Sequence, residues 1–425
     1  MIASANSPGP ASRQRGWLLL LAAGLALAAV ILTMVWYRAE SSTDFRDFWE
    51  NAVHFRQTGI IADDQGVHNY LPFFTVFMTP WGVLPLRPAA VLFVAFSLAL
   101  FGLTVYLVEV LLAGDERRRL WRPVLIAVGL MTPYVYACGV VGNLGLLLLF
   151  LVVATWFLVE RGREWEAGIP LGLAVLIKLL PAALLVFFLV KRRWHVAGSA
   201  TAVILVLGIG LPLIAVGPGQ ALKDHEGFFK RAVQGHSAYA TLTNERPVKA
   251  KYNNNALPMI VRRWSSPING GEDPPGQPVV LNAVPMNGQV RVLVYGGLLA
   301  ILVAGSLLAT IGRPRIWPPE TLSDVRVLRG QYGIWCCLML LASPLVWTHY
   351  LPLVYWTLAV VADRAGYLRQ KRGQFAWTEI GGLLLWLIAA VMLAWPTARA
   401  AGAQLAGVAA LWGVLTVGNL RRSVV

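Results

Sequence analysis

The sequence is poor in charged residues and nearly free of cysteine. Only 13% of its 425 residues are charged, whereas a typical soluble domain carries about 25%. Hydrophobic residues make up 57% of the chain, and they fall in runs of about 18 residues or more, the length that a helix needs to cross a bilayer. These features exclude an ordinary water-soluble chain and predict an all-α polytopic membrane protein.

Signals for bound metal or covalent cross-links are also missing. Cys138, Cys336 and Cys337 all lie inside apolar runs, without disulfide or metal-ligand spacing, and are predicted to be packing residues. There is no glycine-rich phosphate loop and no Ser/His/Asp signature. His225 and His236 do not match a metal site on one helix. We therefore expect no metal and no cofactor.

The net charge of +15 comes from short basic clusters between the apolar runs, at 117–119, 191–193, 369–372 and 421–422. This distribution is typical of the positive-inside rule, which orients helices during membrane insertion. No basic stripe alternates with aromatic residues, as it would in a nucleic-acid-binding surface. We expect a multi-pass plasma-membrane protein in contact with membrane lipids, with both termini cytoplasmic and no nucleic-acid partner.

The apolar runs predict about twelve spans in a single integral membrane domain, 1–425. The first run, 17–37, is longer than the core of a signal peptide and is interpreted as a retained anchor. Two long outer loops are predicted at 38–88 and 217–289. The other spans are predicted within 89–216 and 290–419, at 89–113, 122–140, 143–160, 167–179, 181–191, 196–216, 290–311, 331–346, 349–362, 377–394 and 403–419.

Two apolar segments contain prolines that argue against a simple crossing. In 167–191, Lys178 and Pro181 interrupt the run, which favours a broken hairpin over one continuous helix. The hairpin also keeps the basic cluster at 191–193 on the cytoplasmic side. The segment 70–86 has three prolines and is predicted to be re-entrant or interfacial, with a full crossing as the alternative.

The outer loops are predicted to carry two interfacial helices. In the first loop, Phe45, Phe48 and Trp49 recur at helical spacing, which indicates a helix with its aromatic side toward the lipid. These aromatic residues are expected to contact a lipid tail. In the second loop, 256–264 is predicted to form another short interfacial helix.

A few charged residues beside or within the apolar layer are candidates for function, because charge is costly there. Asp44 and Asp47 are three residues apart, and either could act as a general base, although Asp44 could instead cap the helix. Lys178 could hold an anion in a cavity or extend to the interface. His349 could be a ligand or an aromatic-belt residue. The asparagines at 253–255 are predicted to form a loop.

From these residues alone, the chain is either an enzyme acting on a lipid-linked substrate or a transporter. Its motifs occur in the order DFRDFW, YLP, GN, LGLAVLIKLLPAALLVFFLVKRRW, NNNALPMIVRRW and SPLVWTHYLPLVY. Taken together, they resemble glycosyltransferase family 87, whose members are polyprenol-phosphate-sugar-dependent transferases. The resemblance runs from about Asp44 to Tyr355.

The resemblance implies a GT-C-like helical bundle and an inverting enzyme. Such an enzyme would move a hexose, expected to be mannose, from a polyprenyl-phosphate sugar to a lipid or glycan acceptor at the outer leaflet. Asp44 matches the catalytic carboxylate of the family, and Lys178 and His349 match positions suited to the donor phosphate. The predicted substrate-binding set is completed by Arg46, Asp47, Tyr70 and Asn143. A glycolipid flippase and a non-catalytic scaffold of the same fold are the alternatives.

Three positions depart from the family pattern. Leu71 stands where the family often has proline, Gly142-Asn143-Leu144-Gly145 replaces the usual Gly-Gln-x-Asn, and Thr348 occupies the place of a common aspartate. These departures bear on the acceptor and the sugar, and leave the expected fold unchanged.

Overall fold

The computed structural model describes residues 10–41, 43–61, 70–113, 121–235, 237–243, 251–272, 275–311, 322–371 and 373–423. Throughout these ranges the regular structure is helical, and the only β-type pairings are two isolated bridges. Seven of the described helices are long and apolar enough to cross a membrane. The prediction of an all-α polytopic membrane protein is confirmed, whereas the count of twelve spans is not. The GT-C-like arrangement stays a prediction.

The first half of the chain mixes long and short helices. They are α1 (Pro10–Arg38), α2 (Asp44–Thr58), α3 (Pro72–Met78), α4 (Leu86–Ala113), α5 (Trp121–Val141), α6 (Gly145–Glu160), α7 (Glu164–Ile177), α8 (Ala182–Val190), α9 (Trp194–Leu205) and α10 (Leu211–Val216). A π-helical turn, Val206–Gly210, joins α9 to α10. The predicted span 196–216 is therefore one continuous helical segment.

In the second half, a group of short helices precedes five longer ones. They are α11 (Pro218–Phe228), α12 (Ala238–Thr243), α13 (Leu257–Ser265), α14 (Gly288–Ile311), α15 (Leu322–Leu341), α16 (Tyr355–Lys371), α17 (Trp377–Val391), α18 (Pro396–Ala400) and α19 (Ala403–Ser423). Between α15 and α16, Thr348–Val354 forms a 3-10 helix. The spans predicted at 331–346 and 349–362 differ from the observed helices, because α15 ends at Leu341 and α16 begins at Tyr355. Pro344 and Pro352 lie between the two helices and cannot donate backbone hydrogen bonds.

The chain reverses direction between α7 and α8, as the lysine and proline predicted. Lys178 has an extended backbone (φ −151°, ψ 133°) and ends α7, and Pro181 precedes the first residue of α8. Arg193, just before α9, donates a hydrogen bond of 2.5 Å to Glu164 at the start of α7. One continuous helix would separate these two residues by about 40 Å, at 1.5 Å per residue. The chain therefore turns back between α7 and α8, and the membrane hairpin at 167–191 stays a prediction.

Two glycines allow α7 to pack closely along α9. Gly168 and Gly172 are four residues apart, the small-xxx-small spacing that brings helix backbones together in membranes. A Cβ on Gly168 would lie 2.5 Å from the Ser199 hydroxyl, and one on Gly172 would lie 2.7 Å from the Val203 Cβ. Close packing along α7 and α9 and the Glu164–Arg193 hydrogen bond at one end therefore hold these two helices together.

The proline-rich segment 70–86 forms short helices and no long one. Its α3 has 7 residues, and the 3-10 helix Thr79–Val83 that follows has 5. A seven-residue α-helix is only about 10 Å long. The segment packs against α2 and α7, and its re-entrant or interfacial position stays a prediction.

The aromatic side of α2 faces protein and not lipid. Phe45 and Phe48 are buried, with the Phe45 ring 4.9 Å from Phe93 of α4 and the Phe48 ring 5.1 Å from Phe74 of α3. The expectation of an interfacial aromatic face is wrong, because α3 and α4 supply apolar partners that the local sequence pattern does not reveal. The second predicted helix forms as α13, and its Pro258 and Met259 are likewise buried.

We expect Gly172→Ala to lower the free energy of unfolding by roughly 1–3 kcal/mol, the usual cost of overpacking. Gly198, on α9, is the matched control, because a Cβ there meets nothing within 4 Å. Gly198→Ala should leave stability unchanged or raise it through helix propensity. Thermal unfolding in detergent measures both variants. Equal effects of the two substitutions would contradict the close α7–α9 contact.

Candidate active site

Asp44 is the first residue of α2, and its carboxylate is not used to cap that helix. The N-cap is Thr43, whose hydroxyl accepts a hydrogen bond of 3.3 Å from the Arg46 amide. The alternative in which Asp44 caps the helix is therefore wrong. Because threonine takes the cap, the Asp44 side chain can turn toward the rest of the site, and it stays 36% exposed.

Asn143 fixes the orientation of Asp44. Its amide donates a hydrogen bond of 2.6 Å to Asp44 Oδ2, and its carbonyl oxygen accepts from the Gly145 amide at 2.9 Å. The flanking glycines make this junction between α5 and α6 possible. Gly142 has a positive φ of 63° and lies against Phe45, and a Cβ on Gly145 would collide with the backbone carbonyl of His349.

His349 lies on the other side of the Asp44 carboxylate. Its Nε2 atom is 3.7 Å from Asp44 Oδ2, which is close for an ion pair but longer than a hydrogen bond. The His349 ring meets Tyr350 edge-on at 4.7 Å, and 18% of the side chain is exposed. Facing Asp44 in this way, His349 belongs to the candidate site and not to a lipid-facing belt.

Lys178 is held between two tyrosines. Its Nζ atom is 4.1 Å from the ring centre of Tyr70 and 4.9 Å from that of Tyr350, and both are cation–π distances. Tyr70 is itself stacked on Phe74 at 4.4 Å. The lysine therefore points into the protein and does not extend to the membrane interface.

Lys178, Tyr70 and Tyr350 line one cavity of about 340 Å³, within the range of small-molecule sites. The rest of the wall is mainly apolar. It is formed by residues of the α7–α8 break, α8, the π-helical turn after α11, and the end of α15, including Leu176, Leu179, Leu180, Ala183, Phe228, Val233, Met339 and Ala342. A cation beside an apolar channel suits a ligand with an anionic head and a hydrocarbon tail.

Five of the seven predicted residues therefore lie together, namely Asp44, Tyr70, Asn143, Lys178 and His349. Two do not join them. Arg46 pairs with Glu50 at 2.7 Å and bonds the Glu40 carbonyl, both toward the surface. Asp47 is exposed on the first turn of α2. The helical spacing of Asp44 and Asp47 placed them correctly on one turn but could not show which one faces the protein.

The asparagine segment does more than form a loop. Asn254 and Asn255 are buried, and their backbone pairs with the strand-like stretch before the 3-10 helix. The backbone N–H of Asn255 donates to the Val346 carbonyl at 2.5 Å. The side-chain amide of Asn255 donates to Thr348 Oγ1 at 3.3 Å. These contacts position the segment that carries His349. The three consecutive asparagines were the only sequence signal for it.

His225 of the second loop contacts backbone carbonyls. Both ring nitrogens of His225 lie within hydrogen-bond distance of backbone carbonyls, those of Ala221 and Gly208. His236 lies outside the described residues. In the described part of the chain, no group of three or more His, Cys, Asp or Glu side chains could hold a metal ion. Cys138, Cys336 and Cys337 are buried, as expected for packing residues.

Comparison with models of known protein families shows to which family the chain belongs. The family model of glycosyltransferase family 87 matches residues 68–344. The chain belongs to glycosyltransferase family 87. The resemblance found in the motifs is thereby confirmed. The match includes Tyr70, Asn143 and Lys178, whereas Asp44 and His349 lie outside it, so their assignment depends on the geometry.

Curated relatives in this family transfer different sugars. An alpha-(1->3)-arabinofuranosyltransferase of Mycobacterium tuberculosis is 28% identical over 199 residues, 45% of this chain and 44% of the relative. One from Corynebacterium glutamicum is 33% identical over 147 residues, 34% of this chain and 33% of the relative. A polyprenol-phosphate-mannose-dependent alpha-(1-2)-phosphatidylinositol mannoside mannosyltransferase of M. tuberculosis is 29% identical over 145 residues, 31% of this chain and 34% of the relative.

The chain thus aligns with less than half the length of each of these relatives. No solved structure shows a significant match to it.

The capping geometry leads to a direct test. Thr43→Ala should lower the free energy of unfolding by about 1 kcal/mol, the usual cost of losing an N-cap hydroxyl. Thr43→Ser keeps the hydroxyl and should preserve stability. Thermal unfolding of the two variants, with Asp44→Ala beside them, gives the comparison. A stable Thr43→Ala variant together with an unstable Asp44→Ala variant would show that Asp44, and not Thr43, caps the helix.

Proposed function

We propose that this protein is a membrane glycosyltransferase that transfers a hexose, most simply mannose, from a polyprenyl-phosphate sugar to a lipid or glycan acceptor at the outer leaflet. The observation that carries the proposal is the closeness of a carboxylate, Asp44, to Lys178, the cation that lines the apolar cavity. Asp44 and Lys178 come from distant parts of the chain, and Tyr70, Tyr350 and His349 connect them.

The cavity suits the donor. Its cation, Lys178, would bind the phosphate, and its apolar wall along α8 and α15 would hold the first isoprene units of the tail. This replaces the expected tail position along Phe45 and Phe48, which are buried inside the protein. Lys178 is partly buried, and its position between two rings strengthens the attraction of the ammonium for an anion, because less water screens it than at the surface. His349, beside Tyr350, is the second candidate to contact the phosphate or the sugar.

In the reaction, Asp44 would act as the general base. Its carboxylate takes the proton of an acceptor hydroxyl while that oxygen forms a bond to the anomeric carbon. The bond from the anomeric carbon to the phosphate oxygen breaks, and polyprenyl phosphate leaves with the electron pair. Attack from the side opposite the phosphate inverts the anomeric configuration. Asn143 holds the carboxylate by its 2.6 Å hydrogen bond throughout this step.

The names of the relatives leave the sugar open. One is named as dependent on polyprenol-phosphate-mannose, whereas two others are named as arabinofuranosyltransferases. The tests therefore include polyprenyl-phosphate donors of both mannose and arabinofuranose. Transfer from the pentose donor alone would contradict the hexose and leave the reaction type in place.

Asp44→Asn should reduce transfer from labelled polyprenyl-phosphate mannose in proteoliposomes by roughly 100–10,000-fold, the range for loss of a general base. Asp47→Asn is the matched control, since Asp47 is exposed on the same helical turn, and its turnover should be near normal. Normal turnover by the Asp44 variant would refute the base assignment.

The same assay separates the enzyme from its alternatives. Donor and acceptor are supplied on the same side of the membrane, where a flippase would form no product. A wild-type protein that moves labelled glycolipid across the bilayer without forming a glycosidic bond would refute the proposal. A non-catalytic scaffold would turn over neither the mannose nor the arabinofuranose donor.

Lys178→Met should lower the transfer rate by roughly 100–1,000-fold, as removal of one preorganised donor to developing charge does elsewhere. The control is Lys191→Gln. Lys191 is also partly buried, but its Nζ bonds the Thr310 carbonyl at 2.9 Å, at the other end of α8. Single-turnover kinetics with labelled donor measure both variants. Equal losses of transfer rate in the two variants would show that Lys178 stabilises the protein and does not act in the reaction.

A further inference from the structure

The wall of the donor cavity carries four polar side chains, those of Tyr70, Lys178, Ser343 and Tyr350, and is otherwise apolar. The Ser343 hydroxyl is used within the wall, because it donates to the Leu345 carbonyl at 2.8 Å. Among the described residues, the Lys178 ammonium contacts only the two tyrosine rings. One ammonium and two hydroxyls therefore remain on the wall as hydrogen-bond donors for a ligand.

The two tyrosines come from different parts of the chain, and the ring of each is held by its neighbours. Tyr70 precedes α3, and its ring is stacked on Phe74 at 4.4 Å and meets Phe48 edge-on at 5.2 Å. Tyr350 is only 3% exposed, and its ring lies edge-on to His349 at 4.7 Å. Because the rings are packed in this way, their hydroxyl groups have fixed positions before a ligand binds.

The 3-10 helix explains how Tyr350 reaches the cavity while its neighbour faces the base. Such a helix has about three residues per turn, so successive side chains point about 120° apart. His349 Nε2 lies 3.7 Å from Asp44 Oδ2, and the next side chain, Tyr350, lines the cavity beside Lys178. One short segment thus places the cavity wall next to the catalytic carboxylate.

Tyr70 and Tyr350 form a side-chain hydrogen bond with each other, and we call them the tyrosine pair. In such a pair one hydroxyl donates to the other, and the second keeps a proton that it can donate to a ligand. Lys178 Nζ lies 4.1 Å from the ring centre of Tyr70 and 4.9 Å from that of Tyr350. The cavity therefore offers a charged donor and a neutral donor close together.

This set of donors fits a phosphodiester better than it fits a sugar. The phosphodiester of a lipid-linked sugar has two non-bridging oxygens that accept hydrogen bonds, and it has no proton to donate. One oxygen can pair with the ammonium of Lys178 and the other with the tyrosine pair. A sugar hydroxyl also needs an acceptor for its own proton. Among the described residues that line the cavity there is no carboxylate or amide side chain.

We propose that the hydroxyls of the tyrosine pair bind the phosphate of the lipid-linked donor together with Lys178 and stabilise it as it leaves. The inference rests on the proposed function and assigns two further residues to the reacting group. When the bond to the anomeric carbon breaks, the bridging oxygen keeps the electron pair, and the phosphate passes from one negative charge to nearly two. The tyrosine protons stay on the tyrosines, and the hydrogen bond to the phosphate strengthens as the charge develops.

The first test measures binding without transfer. Farnesyl phosphate is titrated into the detergent-solubilised protein, for wild type and for the double variant Tyr70→Phe with Tyr350→Phe. Phenylalanine keeps the two rings beside Lys178 and removes only the hydroxyls. The double variant should have a Kd roughly 10–100-fold higher, the effect of losing a hydrogen bond to a charged group. Farnesol, which lacks the phosphate, should bind equally to both proteins.

Tyr367→Phe is the matched control, because Tyr367 also lies against a cation, with its ring 3.8 Å from the Arg326 guanidinium, but does not line the donor cavity. Its affinity for farnesyl phosphate should equal that of wild type. In single-turnover transfer from labelled polyprenyl-phosphate mannose, the double variant should be slower by roughly 100–1,000-fold. Each single variant should lose less, because the remaining hydroxyl can still donate to the phosphate.

The outcomes separate this inference from its alternatives and from the proposed function. Wild-type affinity for farnesyl phosphate in the double variant would overturn the inference, and slower transfer in that case would mean that the hydroxyls contact the sugar. Equal weakening of farnesol and farnesyl phosphate, with a lower midpoint of thermal unfolding, would also overturn it, since the tyrosines would then only shape the cavity. Selective weakening of farnesyl phosphate supports the inference even if wild type shows no transfer, in which case the proposed function alone fails.

Discussion

The hydrogen bond between Asn143 and Asp44 is the contact on which the geometry of the site depends. It joins residues 99 positions apart, and so fixes the start of α2 against the junction of α5 and α6. The same asparagine accepts from the Gly145 amide, and Gly145 lies directly against the backbone of His349. A displacement of this junction would therefore move the carboxylate and the histidine together, and with them the relation of both to the donor cavity.

The helix break at Lys178 supplies the second half of the site. A lysine within a continuous apolar helix would extend along it toward water. Here the extended backbone at Lys178 and the reversal before α8 turn the ammonium between Tyr70 and Tyr350. The close α7–α9 packing and the Glu164–Arg193 contact hold the hairpin that makes this possible. A cation beside an apolar cavity wall is screened less by water than one at the surface, which makes it more effective in stabilising developing charge.

The sequence predicted what depends on local signals. Proline after Lys178 indicated the hairpin, and scarce charge in apolar surroundings singled out Asp44 and Lys178. An amphipathic pattern could not tell whether the aromatic face of α2 meets lipid or protein, so its partners on α3 and α4 were missed. The pairing of Asn254 and Asn255 with the stretch before His349 was also missed, because the two segments are about 90 residues apart along the chain.

The central claim is that a lipid-linked sugar phosphate binds between Lys178 and Asp44. A structure of the protein with a non-reactive phosphonate analogue of polyprenyl-phosphate mannose tests it most directly. We expect the phosphonate at hydrogen-bond distance from Lys178 Nζ, the anomeric carbon facing Asp44, and the tail along the apolar wall of α8 and α15. A phosphonate bound outside this cavity, or a sugar turned away from Asp44, would contradict the account.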